Sequence, residues 1–344
     1  MENTETRDAL RLIGSAPSFS SMLEHVSLAA TLNKPLLIVG ERGTGKELVA
    51  SRVHYLSGRW EQQYNTLNCG ALSDSLIESE LFGHEAGAFT GANKRHAGLF
   101  ERSHGGTLFM DELATTSARV QEQLLRVIEY GEFQRIGGSE TLHTDLRLVA
   151  ATNEDLPSLA RSGKFRHDLL DRLSFDVITL PPLRERLEDI PLLAEHFANG
   201  MSRELEREFF AGFADEVMDK MLEYQWPGNV RELKNTVERS VYRHQQTDEV
   251  LSEIVFDPFD SPYRPLAARQ DAIDEGEPAP ADTPPKPPIL SAGFKLRDHL
   301  EEQERNYIAQ ALEMEKHNQR KAAERLGLSY HQIRASLRKF PELT

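Results

Sequence analysis

Apolar and polar positions alternate in two ways along the first half of the chain. Short runs rich in Leu, Ile and Val are separated by longer stretches whose apolar residues recur at helical intervals, as they do from Val120 to Ile128. Four runs are predicted to be buried strands, namely residues 36–39, 107–110, 146–151 and 177–180. Strands that alternate with helices favour a parallel sheet, so we expect an α/β subdomain over residues 1–183.

The rest of the chain shows three further patterns. Residues 184–256 have helical periodicity alone, which predicts a smaller all-α lid subdomain. Residues 257–293 hold nine of the 17 prolines and lose apolar periodicity, so they are predicted to be a proline-rich acidic linker. Helical spacing returns in residues 294–344, which predict a terminal all-α module.

Charge and composition indicate where the protein is located and which part of it could bind phosphate groups. The chain has 40 Lys and Arg against 55 Asp and Glu, a net charge of −15, and no apolar run long enough for a membrane-spanning helix. Its start is polar and its one cysteine, Cys69, suits packing, so we expect a cytoplasmic protein without membrane insertion. Residues 317–340 differ, with six Lys and Arg and one Glu, a composition that attracts phosphate groups.

A glycine-rich segment follows the first predicted strand. Residues 40–47 read Gly-Glu-Arg-Gly-Thr-Gly-Lys-Glu, which satisfies the phosphate-binding pattern G-x-x-x-x-G-K and precedes a helical stretch. The backbone N–H groups of such a loop surround phosphates, and the Lys46 ammonium can reach their β and γ oxygens. Glu47 stands where the general pattern has Ser or Thr, so a bound metal ion must depend on other groups.

Two acids, Asp111 and Glu112, end the predicted strand at residues 107–110. Parallel sheets bind ligands at the carboxyl ends of their strands. We therefore assign Asp111 to Mg²⁺, directly or through water, and Glu112 to polarising the attacking water. A turn with solvated acids is the alternative for this pair alone, but the preceding phosphate loop favours a nucleotide hydrolase.

A third motif lies between these two. Residues 80–92 read Glu-Leu-Phe-Gly-His-Glu-Ala-Gly-Ala-Phe-Thr-Gly-Ala, which predicts a flexible tip that presents Phe89, although a turn in the core would have a similar composition. Together with the two motifs above and Trp226-Pro-Gly-Asn-Val-Arg-Glu-Leu, it resembles the AAA+ bacterial enhancer-binding activators of sigma-54 RNA polymerase. The resemblance covers nearly the whole chain. It implies an AAA+ P-loop sheet flanked by helices, an all-α lid, and ATP and Mg²⁺ as cofactors.

The resemblance also implies roles for individual residues. Nucleotide contacts are implied for Ile13, Gly40, Gly43, Thr44, Gly45, Lys46, Glu47, Leu48 and Arg231. Contacts with sigma-54 are implied for Gly87, Ala88, Phe89, Thr90, Gly91 and Ala92. Asn68 would relay the γ-phosphate state from the catalytic glutamate to the Phe89 loop, and Asn153 would sense the γ-phosphate or the water. From the residues alone, Asn68 could also be a strand-end amide that satisfies backbone groups, and Asn153 could be part of a polar turn.

Two arginines six residues apart, Arg166 and Arg172, have the pattern of a salt-bridged helix surface. The resemblance instead makes them arginines that act on the nucleotide of a neighbouring subunit, which implies a homo-oligomer and, as in related proteins, a hexameric ring. Arg231, in the lid, would sense the γ-phosphate from that side.

Within this family the chain resembles the activators of the phage shock operon. About a dozen residues precede Leu12-Ile-Gly, so we expect no attached sensor domain and control by an inhibitor in trans. Trp60 would contact that inhibitor, phage shock protein A; as an isolated aromatic it could also be a core residue.

The terminal module has the pattern of a helix, a glycine-containing turn and a second helix with Ser329 as its N-cap. It resembles the Fis-type helix-turn-helix of such activators. Ala322, Ala323, Leu326, Leu328, Ile333 and Leu337 are predicted to face its core. Contacts with enhancer DNA are predicted for Arg320, Lys321, Ser329, Tyr330, His331, Gln332, Arg334 and Arg338, and Ser336 is predicted to be exposed with them. A basic helical pair that contacts protein is the alternative.

The whole sequence therefore predicts an ATP-hydrolysing transcriptional activator. Its terminal module would bind upstream enhancer DNA, and its ring would move Phe89 and Thr90 against sigma-54 to remodel the closed complex of the RNA polymerase holoenzyme. Two alternatives stay open: an AAA+ unfoldase or helicase that uses its DNA module as a tether, and a DNA-binding regulator whose nucleotide-bound body does not turn over.

Overall fold

The computed structural model describes residues 12–245, 248–260, 263, 296–315, 318–328 and 330–340. Residues 1–259 form one compact unit and residues 260–344 a second. Most of the predicted linker, 257–293, lies outside the described residues, as does the predicted N-cap Ser329.

The first unit is built on one parallel sheet of five strands in the order β2, β5, β8, β1, β9. These strands are β1 (Leu36–Val39), β2 (Tyr64–Asn68), β5 (Thr107–Asp111), β8 (Arg147–Thr152) and β9 (Val177–Thr179). The α/β prediction and the four predicted strands are confirmed. The sequence analysis missed β2 because its residues Tyr-Asn-Thr-Leu-Asn mix polar and apolar side chains at the edge of the sheet, where only Leu67 is buried.

Helices cover both faces of the sheet. Their bounds are α1 (Pro17–Ala30), α2 (Lys46–Tyr55), α3 (Asp74–Phe82), α4 (Leu99–Arg102), α5 (Ala118–Tyr130), α6 (Leu156–Arg161) and α7 (His167–Leu173). A separate hydrophobic core lies on each face of the sheet, and neighbouring residues of a strand pack into different cores. Leu37 packs with α5 and α7 residues such as Leu124 and Leu169, whereas Ile38 packs with residues of α1 and α2. Cys69 is buried in the first of these cores, and burial raises the pKa of its thiol to about 12, in accord with the packing role predicted for it.

Two short β-hairpins lie outside the five-stranded sheet. One is formed by β3 (Gly83–His84) and β4 (His96–Ala97), and the other by β6 (Glu132–Gln134) and β7 (Thr141–His143). The first hairpin carries Phe89 between its strands. The hairpins are joined at Glu85, whose N–H donates to the carbonyl of Ile136.

The lid is helical, as predicted, and consists of α8 (Asp189–Glu204), α9 (Asp215–Glu223) and α10 (Asn229–Arg243). These helices share a core around the fully buried Trp226, whose indole N–H donates to the carbonyl of Met221 at 2.8 Å. The Trp226-Pro-Gly-Asn segment is the turn that leads into α10.

The second unit contains α11 (Leu296–Met314), α12 (Gln319–Arg325) and α13 (Tyr330–Lys339). Its core confirms most of the predicted packing positions, with Ala322, Ala323, Ile333 and Leu337 buried and Leu326 packed against them. Ser336 is half-buried, and its hydroxyl donates to Glu304 on α11 at 2.8 Å. In the part of the chain that the structure describes, no helix is both long and apolar enough to cross a bilayer.

Candidate nucleotide site

Several of the polar residues predicted for catalysis lie together at the carboxyl ends of the strands of the five-stranded sheet. Asn68 ends β2 and is paired in register with Asp111 at the end of β5. Asn153 follows β8 directly, and the N–H of Gly40 donates to the carbonyl of Thr152 at 3.2 Å. Asn68, Asp111, Asn153 and the glycine-rich loop therefore lie at the carboxyl ends of four adjacent strands. Parallel sheets usually bind their ligands at this end of the strands.

The glycine-rich loop has the backbone conformation that its glycines permit. Gly43 and Gly45 adopt φ angles of 77° and 97°, and Gly45 is the N-cap of α2. The Lys46 ammonium donates to the carbonyls of Gly40 and Glu41 at 2.9 and 3.1 Å, so its charge lies inside the loop. Burial lowers the pKa of Lys46, and the nearby Asp111 carboxylate opposes that effect.

The two acids are held differently. One Asp111 oxygen accepts from the N–H of Glu112 at 2.9 Å, which fixes the turn after β5. Glu112 has a left-handed backbone with φ of 53°, a conformation uncommon for a non-glycine residue. This turn directs the Glu112 carboxylate towards Gly70, where a Cβ would lie 1.7 Å from its Oε2, so a side chain at position 70 would displace this carboxylate. Backbone strain at Glu112 and the missing side chain at Gly70 both serve to place one carboxylate.

Asn68 caps the short 3₁₀ turn Cys69–Ala71, with its Oδ1 accepting from the N–H groups of Gly70 and Ala71 at 2.9 and 3.1 Å. These are its hydrogen bonds within the described residues, and they match the strand-end alternative. Its Oδ1 and the Glu112 carboxylate nevertheless flank the same glycine, since a Cβ on Gly70 would lie 3.5 Å from that Oδ1. The relay from Glu112 through Asn68 therefore stays a prediction.

The lid closes the site from the other side. The N–H of Arg231 donates to the carbonyl of Gly43 at 3.3 Å, and a Cβ on Gly43 would lie 2.2 Å from the carbonyl oxygen of Gly228. The phosphate loop therefore contacts the turn before α10 directly. The Arg231 guanidinium is close enough to lower the pKa of Lys46, although burial is the larger cause.

Three residues that the sequence analysis did not single out strengthen this contact. The Glu41 carboxylate accepts two hydrogen bonds from Arg184 at 2.7 and 2.9 Å and one from the Asn229 amide at 3.0 Å. The Arg184 and Asn229 hydrogen bonds lower the pKa of Glu41 to about 2. Glu41 and Asn229 each lie in a motif that the sequence shows, the glycine-rich segment and the Trp-Pro-Gly-Asn segment, but neither motif indicates that the two side chains meet.

A cavity of about 400 Å³ lies beside Ile13, between the start of the described chain and α8. Its wall at residues 12–14 is fixed by Asp189, a fully buried lid residue whose Oδ1 accepts from the N–H groups of Ser15 and Ala16 at 2.5 and 2.9 Å. Arg186 pairs with Asp189 at 2.8 Å and its guanidinium lies 4.0 Å from the centre of the Phe19 ring. Ile13, for which the resemblance implies a nucleotide contact, thus borders a space of a size suited to a small ligand.

Phe89 is 47% exposed and rests with edge geometry on the His84 ring, at 4.9 Å between ring centroids. The tip is closed by hydrogen bonds from Gly87 N–H to the Ala92 carbonyl and from Ala92 N–H to the Phe89 carbonyl. The structure therefore presents Phe89, as expected, whereas Ala92 is buried. Gly91, with φ of 105°, supplies the left-handed turn.

Arg166 and Arg172 are both bound by acids of their own chain. Arg166 pairs with Asp168 at 2.6 Å, and Arg172 donates to Glu129 at 2.8 Å, with 40% and 60% of the two arginine side chains exposed. This is the salt-bridged helix surface that the residues alone predict. The role on a neighbouring nucleotide stays a prediction.

Trp60 is 57% exposed, so the core alternative for this residue is wrong.

Three family models match successive parts of the chain. They are described as sigma-54 interaction domain, over residues 12–179, AAA+ ATPase lid domain, over 184–258, and bacterial regulatory protein, Fis family, over 299–340. The Psp operon transcriptional activator of Escherichia coli K12 is 56% identical over 328 residues, which cover 95% of this chain and 97% of that protein. The chain belongs to the sigma-54-dependent transcriptional activators.

Some of the proteins that this chain matches are longer than it is. The Nif-specific regulatory protein of Azotobacter vinelandii is 40% identical over 94% of this chain and 57% of its own length. The solved structure of NtrX from Brucella abortus in complex with ATP has a TM-score of 0.67 and 29% identity, covering 97% of this chain and 71% of that one. The NtrX complex with ADP gives the same TM-score at 26% identity.

The structure of this sigma-54 activator also bears on the predicted DNA contacts. Arg320 and Lys321 lie exposed in the first turn of α12, and Gln332 and Arg334 are exposed on α13. The side chains of Tyr330, His331 and Arg338, like all of Ser329, lie outside the described residues. The helix, turn and helix predicted for the module are present, and Gly327 supplies the turn with φ of 65°.

The site suits a magnesium ion bound partly by nucleotide phosphates and waters better than a metal ion bound by protein side chains alone. Within the described ranges, no cluster of three or more His, Cys, Asp or Glu residues could hold a metal. Mg²⁺ in nucleotide sites binds through one or two carboxylates together with phosphates and waters. Asp111, with one oxygen engaged by the Glu112 N–H and lying close enough to raise the pKa of Lys46, provides such a carboxylate.

Proposed function

We propose that this protein is an ATPase that uses Mg²⁺, binds upstream enhancer DNA, and couples ATP hydrolysis to the remodelling of sigma-54 RNA polymerase closed complexes at the phage shock operon. The observation that carries the proposal is the meeting of Lys46, Asp111 and Glu112 at one sheet edge, in a chain whose Phe89 is presented on a separate hairpin.

The chain's own residues suit the chemistry of phosphoryl transfer to water. Lys46 would exchange the carbonyls of Gly40 and Glu41 for phosphate oxygens, and the loop N–H groups would bind the remaining ones. Glu112, placed by its left-handed backbone, would accept a hydrogen bond from the attacking water. When bound at Asp111, Mg²⁺ would neutralise charge on the β and γ phosphates. Asn153 would contact the γ-phosphate or that water.

The assembly that this activity requires is a ring of copies of the chain, proposed to be a hexamer. Arg166 and Arg172 would leave Asp168 and Glu129 and act on the nucleotide of the neighbouring subunit. Since these arginines are exposed and their partners belong to the same chain, the exchange replaces one carboxylate with a more highly charged phosphate.

Mixing two inactive variants tests the exchange. Arg172→Ala subunits keep Lys46, and Lys46→Ala subunits keep Arg172, so a mixed ring contains sites with both groups intact. We expect the mixture to hydrolyse ATP faster than either variant alone, measured by phosphate release. Arg126→Ala, which removes an exposed α5 arginine 3.7 Å from Glu132, is the matched control and should behave as wild type. No recovery in rings shown to be mixed would contradict an action in trans.

The hairpin tip, residues 87–92, is proposed to contact sigma-54. Its support is the exposure of Phe89 together with the match to the sigma-54 interaction domain. Open-complex formation at the phage shock promoter by purified protein, holoenzyme and ATP tests the whole proposal. The absence of open complexes with an active ATPase preparation would contradict it.

Trp60 is proposed to contact an inhibitor of the phage shock protein A type. The support is the exposure of Trp60, at 57%, in a chain 56% identical to a Psp operon activator. Tyr55 and Leu56, a few residues earlier in the sequence, are also exposed, at 54% and 46%. Exposed apolar side chains favour a protein contact where they form a patch.

The helix-turn-helix module is proposed to bind enhancer DNA through α13. We expect the double variant Arg334→Glu, Arg338→Glu to bind a DNA fragment from upstream of the phage shock promoter at least about a hundredfold more weakly, because each reversed charge replaces attraction to phosphate with repulsion. Fluorescence anisotropy measures the affinity. ATPase activity should be unchanged. Arg305→Glu on α11 is the control for a charge reversal elsewhere in the module, and equal effects of the two changes would contradict a specific role for α13.

A further inference from the structure

The phosphate loop and the lid are joined by a cluster of three side chains that the proposed mechanism leaves unused. We call Glu41, Arg184 and Asn229 the loop–lid clamp. Glu41 is the second residue of the glycine-rich loop, Arg184 lies in the 3₁₀ turn Leu183–Glu185 at the start of the lid, and Asn229 begins α10. Residues more than 140 positions apart in sequence thus meet beside the nucleotide site.

The Glu41 and Arg184 pair has the strongest geometry that such side chains can form. Both carboxylate oxygens accept from separate guanidinium nitrogens, at 2.7 and 2.9 Å. The two side chains are 42% and 39% exposed, so the pair by itself adds little to the stability of the fold. Its position matters more than its energy, because it fixes one loop residue relative to the lid.

Asn229 is the buried centre of the clamp. Its Nδ2 donates to Glu41 Oε2 and to the Arg42 carbonyl, both at 3.0 Å, while its Oδ1 accepts from the Leu183 N–H at 2.8 Å. It is fully buried and has a left-handed backbone with φ of 54°. A single amide therefore ties together the phosphate loop, the start of the lid and α10, and its complete hydrogen bonding offsets the unfavourable backbone.

The clamp acts next to the groups that are proposed to touch phosphate. The Glu41 carbonyl accepts from the Lys46 ammonium, and two residues beyond Asn229 the Arg231 N–H donates to Gly43. We infer that Glu41, Arg184 and Asn229 are positioning residues that hold the lid against the phosphate loop so that Arg231 faces the γ-phosphate. The inference rests on the proposed ATPase function and assigns the clamp to the discrimination of ATP from ADP.

Conservative changes separate this role from a general effect on folding. Glu41→Gln keeps the shape but removes the charge, and Asn229→Gly removes the amide while tolerating the left-handed backbone. For each, we expect ATP to bind about tenfold more weakly and ADP to be affected much less, measured by direct titration with fluorescent nucleotide analogues. Glu132→Gln, an acid on β6 that lies 3.7 Å from Arg126, is the matched control and should leave both affinities unchanged.

Two further measurements test positioning itself. In an Arg231→Ala background, Glu41→Gln should have little additional effect on ATP affinity, because the guanidinium that the clamp orients is already gone. Asn229→Asp should be worse than Asn229→Gly, since a carboxylate then faces Glu41, and adding Glu41→Gln should restore much of the loss by supplying an amide donor to the new acid.

The outcomes are distinct. Equal losses for ATP and ADP, additive effects with Arg231→Ala, or Glu41→Gln behaving as Glu132→Gln would each overturn the clamp while leaving the proposed ATPase intact. A wild-type protein that binds ATP but does not hydrolyse it would refute the proposed function. The role of the loop–lid clamp could still be tested in that case, because nucleotide affinity is measured without turnover. A wild-type protein that binds neither nucleotide would overturn both.

Discussion

Lys46→Ala is expected to lower the kcat of ATP hydrolysis by about a hundredfold to a thousandfold. The Lys46 ammonium is the cation inside the glycine-rich loop, and its half-buried position makes its interaction with phosphate stronger than it would be in water. Removing it leaves the charge that develops on the transferred phosphate without its partner. Phosphate release at saturating ATP measures the effect.

The control for this prediction is Lys164→Ala, which removes an exposed lysine of the same unit and should leave turnover unchanged. Asp111→Ala should reproduce the loss, because the proposed Mg²⁺ carboxylate is removed. Thermal unfolding should show that each variant is folded. Wild-type turnover by folded Lys46→Ala protein would refute the assignment of the phosphate site.

Phe89→Ala is expected to abolish the opening of sigma-54 promoters while ATP hydrolysis stays within about twofold of wild type. The side chain is half exposed at the tip of a hairpin whose strands are separate from the five-stranded sheet, so its removal leaves the nucleotide site unaltered. Promoter opening is measured by footprinting or by transcription from a closed complex, and hydrolysis is measured in the same samples.

A matched aromatic control is available in the lid, where Phe209 is 54% exposed. Phe209→Ala should affect neither activity. Normal promoter opening by Phe89→Ala, or opening by the wild-type protein without nucleotide, would contradict the proposed coupling between ATP and sigma-54.

Local patterns were sufficient for the nucleotide loop and the sheet core. The φ angles of Gly43 and Gly45, the helix that begins at Lys46 and the acids at the end of β5 all depend on residues close together in sequence. Such short-range requirements are visible as motifs. Strand β2 was missed because at a sheet edge a strand needs only one buried side chain, which gives no alternating pattern to detect.

Side-chain partners were less accessible to prediction. Nothing local pairs Arg172 with Glu129, which lies 43 positions away, and the exposure of Trp60 could not be separated from burial by its neighbours in sequence. The hydrogen bond of Ser336 was equally inaccessible to prediction, since its partner Glu304 is on another helix.

The sequence by itself determined the family and the order of subdomains, and it predicted the residues that would touch phosphate, because each follows from a contiguous motif with its own backbone requirement. The tertiary structure alone decided that Glu41, Arg184 and Asn229 meet, since their distances along the chain exceed any local pattern. Their contact requires the completed sheet and lid to bring the phosphate loop and the first turn of α10 together, and a buried amide then selects that arrangement by its hydrogen bonds.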